Sequence, residues 1–143
     1  MDHVAILKKE WGLLKKILSG QKTVESRWYK TQVAPWDKIF KGDVVYFKDS
    51  GRPVTLKAKV LDVHQYFVKD NKQALGLMKK YTLRDLGAAD IPQEIRNYIL
   101  NKKYAIFVLL SEISEVPAFN IDKTGYGMQS AWMCVGDINK VKV

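Results

Sequence analysis

The sequence predicts an α+β fold, in which a small, mainly antiparallel β-sheet or barrel is flanked by helices. Three observations support this prediction. Residues 70–101 have a helical pattern, and the segments before and after them alternate every two residues, as strands do. No Pro-, Gly- or Ser-rich linker divides the 143 residues. With 47% hydrophobic residues, the chain can bury a sizeable core. We therefore expect one folded domain over residues 1–143.

The first predicted elements are a short strand and a helix. Residues 3–9 (HVAILKK) alternate apolar side chains with smaller or polar ones, as a strand does. From about Glu10 the spacing becomes helical, and Gly20 provides a left-handed stop. Residues 23–28 (TVESRW) then have the alternation of an exposed or edge strand. The apolar residues of the helix share one face: Trp11, Leu14, Ile17 and Leu18.

A β-hairpin is predicted next. Residues 43–48 (DVVYFK) and 54–66 (VTLKAKVLDVHQY) alternate like strands, and the Gly-containing turn DSGR joins them. In the second strand the alternation slips at Val60–Leu61. A bulge or bend is expected there, because small barrels use bulges to curve their strands.

Residues 70–101 are predicted to form helices and connectors. Thr82 and Asp85 have the spacing of a capping box before a short turn that ends at Gly87. Another helix is expected to start at Asp90–Gln93, with an apolar stripe assigned to the core: Ile91, Ile95, Tyr98 and Ile99. Two closing strands are predicted within residues 103–116 (KYAIFVLLSEISEV) and 130–143 (SAWMCVGDINKVKV).

The net charge of +9 is unevenly distributed along the chain. The whole excess of Lys and Arg over Asp and Glu lies in residues 1–103, whereas residues 104–143 carry three basic and four acidic side chains. This asymmetry favours a polyanionic partner, with nucleic acid ahead of an anionic membrane surface. A lysine-rich surface with no such partner is the alternative, and on charge alone the two readings are about even.

Several classes of protein are not indicated. No apolar run approaches the ~20 residues that cross a bilayer, so we predict no membrane partner. The N-terminus lacks a signal-peptide pattern, and the one cysteine, Cys134, suits a reducing compartment, so cytoplasm is the expected location. Cys134 and two histidines make a poor ligand set, so no metal and no cofactor are predicted. His64 is assigned a structural role, and His3 carries no prediction.

Residues 19–28 (SGQKTVESRW) concentrate charge of mixed sign beside the predicted end of the first helix. On an extended strand Glu25 and Arg27 share one face, whereas Lys22 points to the other. A backbone bend near Gly20 would bring the three charges to one cavity beside the helix end. The alternative is that Glu25 forms an ordinary surface ion pair, which stabilises by only a few tenths of a kcal/mol.

This segment resembles a known family. Gly20-x-Lys22-x-x-Glu25-x-Arg27 is similar to the G-x-K-x-x-E-x-R signature of the ASCH domain, a relative of the PUA fold. The preceding helix, the following GDVVYF, the hairpin and a closing Trp-bearing strand have the order of that family, so the resemblance covers nearly the whole chain. It implies a small β-barrel flanked by helices, with the motif lining a cleft. Domains of this kind are thought to bind RNA or nucleotides.

The chemistry of the motif agrees with such binding. Lys22 offers a point charge for a phosphate, and Arg27 offers a planar fork for a phosphate or a base edge. Glu25 can accept from an exocyclic amine or a ribose hydroxyl, or it can hold Arg27 in place. Trp28 and Tyr29 are aromatic planes on which an unpaired base could stack, although burial of Trp28 in the core is an equal alternative.

Two further segments supply candidate ligand-binding residues. In the loop KTGYGMQSAW, two glycines would let the backbone approach a ligand, beside Tyr126, Gln129 and Ser130; a flexible connection is the alternative. Lys48 and Ser50 lie at the predicted mouth of the barrel.

Three functions stay open at this point. The first is an RNA- or nucleotide-binding module, favoured by the charge and by the resemblance. The second, implied by a few enzymes of the family, is a hydrolase of the acetylcytidine amidohydrolase or ribonuclease type that uses Lys22 and Glu25. No Ser-His-Asp, Cys-His or metal pattern accompanies these residues. The third is a domain whose basic face binds an acidic protein partner.

Overall fold

The computed structural model describes residues 1–127 and 129–143, and in them it shows six β-strands and three α-helices. The strands are β1 (Asp2–Leu7), β2 (Val24–Tyr29), β3 (Val44–Asp49), β4 (Val54–Phe67), β5 (Tyr104–Phe119) and β6 (Trp132–Gly136). The helices are α1 (Leu13–Leu18), α2 (Asn71–Leu86) and α3 (Gln93–Ile99). Two 3-10 turns, Lys9–Trp11 and Ile138–Lys140, complete the elements of this part of the chain.

The strands form one sheet in the order β2-β5-β4-β3-β1-β6. Four of the neighbouring pairs are antiparallel, as the sequence predicts. The pair β1–β3 is parallel, which the alternation of the two strands did not indicate. Parallel neighbours need a long connection, and here α1 and β2 lie between β1 and β3 in the chain.

The sheet curls into a half-barrel. Its longest strands, β4 with 14 residues and β5 with 16, shift register against each other at three places. One shift lies between Val60 and Asp62, which confirms the predicted bulge at Val60–Leu61. Bulges bend a strand and increase its twist, so they let the two longest strands follow the curl.

Alternate residues of β5 serve two separate hydrophobic clusters. Ile106 and Val108 point into the half-barrel, where they pack with buried residues of β1, β3, β4 and β6. Ala105 and Phe107 point to the outer face, where α2 and α3 cover the sheet. Because side chains of a strand alternate between its two faces, β5 contributes to two hydrophobic cores, one inside the half-barrel and one beneath the helices on the outer face.

The first helix is shorter than the sequence predicts. α1 begins at Leu13 rather than near Glu10, because Gly12 has φ +60° and interrupts the helix after the 3-10 turn. The buried face is correspondingly shifted: Leu13 and Ile17 are buried, whereas Leu18 is 47% exposed.

The expected capping box is wrong. Thr82 and Asp85 lie inside α2, where both are buried. The helix is capped instead by Asp70, whose side chain accepts from the Gln73 amide at 2.8 Å. Gly87, at φ +68°, ends the helix as predicted. The apolar stripe of α3 is confirmed as core, since it packs in the outer cluster: Ile91, Ile95, Ile99 and the partly buried Tyr98.

His3, which carried no prediction, is fully buried. Trp132 Nε1 donates to its Nδ1 at 3.1 Å, and its Nε2 lies 2.9 Å from Asp43 Oδ2. Burial lowers the pKa of His3, although the hydrogen bond to Asp43 opposes that shift. The imidazole therefore links β1, β6 and the start of β3 in the neutral form.

Candidate functional site

A cavity of about 190 Å³ lies at the free edge of β2, where α3 and the 3-10 turn before α1 approach the sheet. Aromatic side chains form much of its wall, namely Trp11, Trp28 and Tyr98. The polar side chains that line it are Lys8, Glu25, Ser26, Arg27 and Asp85. The remaining lining residues are Ile6, Leu7, Leu13, Leu86, Ile95 and Ala131.

The backbone bend near Gly20 brings the charges of the motif together. Gly20 has φ +80°, and the Lys22 amide then donates back to the Lys16 carbonyl at 2.9 Å. As a result Lys22 Nζ lies 3.7 Å from Glu25 Oε1, and Arg27 Nη2 lies 3.8 Å from Glu25 Oε2. With this bend the three charges come together, although only Glu25 and Arg27 line the cavity, and the surface ion pair offered as the alternative is excluded by their burial.

Lys22 is an internal cation. Its side chain has no exposed surface, and Nζ donates to the Val24 carbonyl at 2.6 Å, to the Asp85 carbonyl at 2.8 Å and to Asp85 Oδ1. Ser26 Oγ donates to the other carboxylate oxygen of Asp85. An ammonium has three protons, so all of them are donated to protein oxygens. Lys22 therefore joins β2 to the end of α2.

Arg27 joins β2 to the opposite side of the sheet. Nη1 donates to the Ala131 carbonyl and Nη2 to the Ile6 carbonyl, both at 3.2 Å. The guanidinium also lies 5.1 Å from the centre of the Trp132 ring. Burial by itself would lower the pKa of Arg27, but the Glu25 carboxylate together with Tyr29, Tyr98 and Asp85 outweighs burial, and the pKa is raised.

Glu25 is the exception in this network. The residue is 4% exposed, and its Oε2 is buried with no hydrogen-bond donor, since Arg27 Nη2 is too distant at 3.8 Å. Buried carboxylate oxygens in folded proteins nearly always have a donor. Oε2 of Glu25, on a side chain that lines the cavity, therefore departs from this rule.

The aromatic wall is fixed by its own contacts. Trp28 is 1% exposed, packs edge-on against Phe107 and donates from Nε1 to Ser26 Oγ at 3.3 Å. Tyr98 packs edge-on against Trp11 and donates to the Trp28 carbonyl at 3.5 Å. Burial raises the pKa of Tyr98, so its hydroxyl stays protonated. Trp28 thus belongs both to the core and to the cavity.

The other predicted ligand residues lie outside the cavity lining. Ser50 and Gln129 are exposed, and Lys48 and Tyr126 are partly buried. Ser130 donates from its side chain to the Trp132 carbonyl at 2.8 Å, while its neighbour Ala131 does line the cavity. The structure brings together Glu25, Arg27 and Trp28, with Lys22 buried beside them. A ligand role for the rest stays a prediction, and Met128 of the same loop lies outside the described residues.

Sequence reasoning missed three residues of the site. Asp85 was interpreted as a helix cap, Tyr98 as core and Trp11 as a residue of the first helix face. No local signal identifies Asp85 as the partner of Lys22, because the two are 63 positions apart in the chain. An acidic residue in the last turn of a helix, where the dipole disfavours it, was the one available hint.

None of the helices in residues 1–127 and 129–143 is long and apolar enough to cross a membrane. In the same part of the chain, no group of three or more His, Cys, Asp or Glu side chains could hold a metal ion.

Comparison with solved structures identifies proteins that have the same fold. No family model and no curated protein matches the sequence. Among solved structures, the crystal structure of ASCH from Zymomonas mobilis matches with a TM-score of 0.65 and 19% identity, over 94% of this chain and 87% of that one. One mutant of the same protein matches with a TM-score of 0.67 and 20% identity, over 94% of this chain and 87% of that one. A second mutant of it matches with a TM-score of 0.62 and 18% identity, over 94% of this chain and 89% of that one. The predicted PUA-like α+β fold is thereby confirmed.

Proposed function

We propose that this protein, which has the fold of the ASCH structures, is an RNA- or nucleotide-binding module that takes one unpaired base into the cavity beside β2. The observation that carries the proposal is the buried Glu25 carboxylate, whose Oε2 has no hydrogen-bond donor. A carboxylate accepts from the exocyclic amine of a base, as Glu and Asp do with cytosine. A ribose hydroxyl would serve the same oxygen.

The size and walls of the cavity suit a single base. Its volume of about 190 Å³ is below the ~300–1,000 Å³ typical of sites for drug-sized ligands. Aromatic side chains form much of its wall. Proteins recognise flipped or unpaired bases by stacking them on such side chains and forming a few hydrogen bonds with their edges. A planar ligand with apolar faces and N–H groups at its edge matches this combination.

The buried ions orient Glu25 rather than attract phosphate. The cations Lys22 and Arg27 are matched within the site by the anions Glu25 and Asp85, so the cluster has no formal net charge. Lys22 and Arg27 instead hold β2 against α2 and β1, and this fixes the position of Glu25. A direct contact of Lys22 with a ligand phosphate stays a prediction.

No observation favours the hydrolase alternative. A lysine whose three protons are all donated to protein oxygens has no lone pair with which to attack a substrate. Glu25 would then be left as the general base that activates a water molecule.

The test compares Glu25→Gln with Glu115→Gln, a matched control that removes one negative charge from the exposed part of β5. Binding of a labelled, randomised, short single-stranded RNA is followed by fluorescence anisotropy. Glu25→Gln should weaken binding about five- to a hundredfold, which corresponds to the ~1–3 kcal/mol of one base contact. Loss of a negative charge would by itself strengthen RNA binding, so a weaker complex points to the replacement of one acceptor oxygen by a donor NH₂ group.

Two results would overturn the proposal. One is a wild-type protein that does not bind the RNA, and the other is equal binding by the two variants. The recovered RNA is also analysed for cleavage, and acetylcytidine is incubated in parallel. Turnover of either substrate that Glu25→Gln abolishes would replace the binding module with a hydrolase.

A further inference from the structure

Three aromatic side chains form a row across one end of the sheet. Tyr29 at the end of β2 pairs directly with Tyr104 at the start of β5, which pairs directly with Phe67 at the end of β4. Directly paired residues of antiparallel strands point to the same face. The three rings therefore lie side by side on one face, at the rim of the half-barrel.

Phe67 is the accessible member of this row. It is 69% exposed, although its ring contacts Trp36 and Tyr104 edge-on, with ring centres 5.2 and 5.7 Å apart. These contacts hold the ring in one orientation while most of its surface faces solvent. An oriented and exposed aromatic plane is the element on which proteins stack unpaired bases.

Basic residues outnumber acidic ones at the same end of the sheet. Three segments meet there, residues 28–33, 66–69 and 98–104, because the Lys103 amide donates to the Tyr29 carbonyl at 2.9 Å and the Val68 amide to the Lys103 carbonyl at 2.7 Å. These segments contain no Asp or Glu, and their basic residues are Lys30, Lys69, Lys102 and Lys103. Burial and the neighbouring Lys30 both lower the pKa of Lys102, as expected where cations crowd together.

This basic end is continuous with the cavity. Tyr98 lines the cavity, and Lys102 Nζ lies 5.1 Å from the centre of its ring. Tyr98 also donates to the backbone of Trp28, which immediately precedes Tyr29 in β2. A chain whose base occupies the cavity would therefore leave it past Tyr98 and Lys102 and reach the aromatic row.

We propose that these residues, called here the lysine–aromatic edge (Lys30, Phe67, Lys69, Lys102 and Lys103), bind the single-stranded RNA that flanks the base held in the cavity. A neighbouring base stacks on Phe67, and the lysines contact the phosphates. This inference rests on the proposed function. It commits to an unpaired strand because a base must be splayed out to stack on a side chain. It also assigns phosphate binding to the surface, since the charges of the buried cluster cancel.

The experiment compares three variants in RNA binding by anisotropy over a range of salt concentrations. Phe67→Leu keeps an apolar side chain but removes the plane, and it should weaken binding about five- to a hundredfold, the equivalent of ~1–3 kcal/mol for one stacked base. The triple variant Lys30→Gln, Lys102→Gln, Lys103→Gln should make the slope of log K against log salt shallower by about 2. The matched triple variant Lys15→Gln, Lys57→Gln, Lys79→Gln removes exposed lysines elsewhere, so its slope should stay near that of the wild type.

A nucleoside monophosphate, titrated in parallel, separates this inference from the proposed function. It occupies the cavity alone, so Glu25→Gln should weaken its binding while Phe67→Leu leaves it unchanged. If Glu25→Gln abolishes RNA binding while Phe67→Leu and the edge triple variant bind RNA like the wild type, the proposal for the lysine–aromatic edge is wrong and the cavity proposal stands. Two outcomes would overturn the role of the edge in stacking and make it a general polyanion-binding surface. One is an equal effect of the two triple variants on RNA binding. The other is displacement of the RNA by poly-glutamate together with no effect of Phe67→Leu.

Discussion

At the scale of single residues, burial decides what the charged side chains of the motif can do. Lys is almost never fully buried unless it is paired, and removing an ammonium from water costs several kcal/mol. Lys22 offsets this cost by donating its three protons to the Val24 carbonyl, the Asp85 carbonyl and the Asp85 carboxylate, all within the protein. The same arrangement leaves Oε2 of Glu25 as the polar atom of the cluster without a donor. One motif thus contains a cation whose protons are all donated within the protein and a carboxylate oxygen that has no donor.

Replacing Lys22 should therefore affect stability first. Lys22→Met leaves the Asp85 carboxylate buried without its cation, so we expect a loss of about 3–5 kcal/mol in the free energy of unfolding. Urea denaturation measures the loss, with Lys15→Met, an exposed position of α1, as the control expected to stay within ~0.5 kcal/mol. A change as small as that of the control would contradict the assignment of Lys22 as a buried structural ion.

At the scale of elements, glycine conformation explains where the helices begin and end. Gly12 has φ +60° and separates the 3-10 turn from α1, whereas Gly76 lies within α2 with no positive φ. A Cβ at either position would meet no atom within 4 Å. The two glycines therefore differ in backbone conformation and not in available space.

This pair gives opposite predictions for the same substitution. Gly12→Ala forces a side chain into the left-handed region and should lower the free energy of unfolding by ~1–2 kcal/mol. Gly76→Ala should raise it by ~0.4–1 kcal/mol, because alanine loses less backbone freedom on folding into a helix. Urea denaturation of both variants checks the signs, and a stabilising Gly12→Ala would mean that the helix does not break at residue 12.

At the scale of the whole molecule, the curled sheet brings its two ends close together. β2 and β6 are the edge strands, and Arg27 of β2 donates to the carbonyls of Ile6 in β1 and Ala131 just before β6. A curled sheet with unpaired edges exposes backbone groups to unwanted pairing. Arg27 donates to two carbonyls across the gap, of which that of Ala131 also accepts from the Ile6 amide at 2.9 Å, and the cavity lies beside it.

Arg27→Met should loosen this closure. Hydrogen bonds to a charged donor contribute ~1.5–3 kcal/mol each, so the loss of both predicts a decrease of about 3–6 kcal/mol in the free energy of unfolding. Hydrogen exchange should become faster at amides of β6 and β1. The control is Arg52→Met in the exposed hairpin turn. Unchanged exchange in both strands would show that the closure does not depend on Arg27.

Local patterns accounted for most strands and for part of the site. The hairpin, the bulge near Val60 and the core stripe of α3 follow from side-chain alternation and turn residues, which act over a few positions. The convergence of Lys22, Glu25 and Arg27 was foreseen on condition of a bend at Gly20. The start of α1 was placed too early because helical periodicity continues through Gly12, whose left-handed conformation the apolar pattern does not show.

The sequence by itself determined the strands, the helical insertion, the mainly antiparallel α+β class and the charged motif beside a helix end, because each depends on neighbours in the chain. Only the tertiary structure decided that Asp85 accepts a hydrogen bond from Lys22 and that His3 lies between Trp132 and Asp43. The same holds for the row formed by Phe67, Tyr104 and Tyr29. Those contacts join positions tens of residues apart, and they form because the half-barrel curls and α2 packs on its outer face. Burial then settles the role of each charge, since a buried ion must find its partners inside the protein.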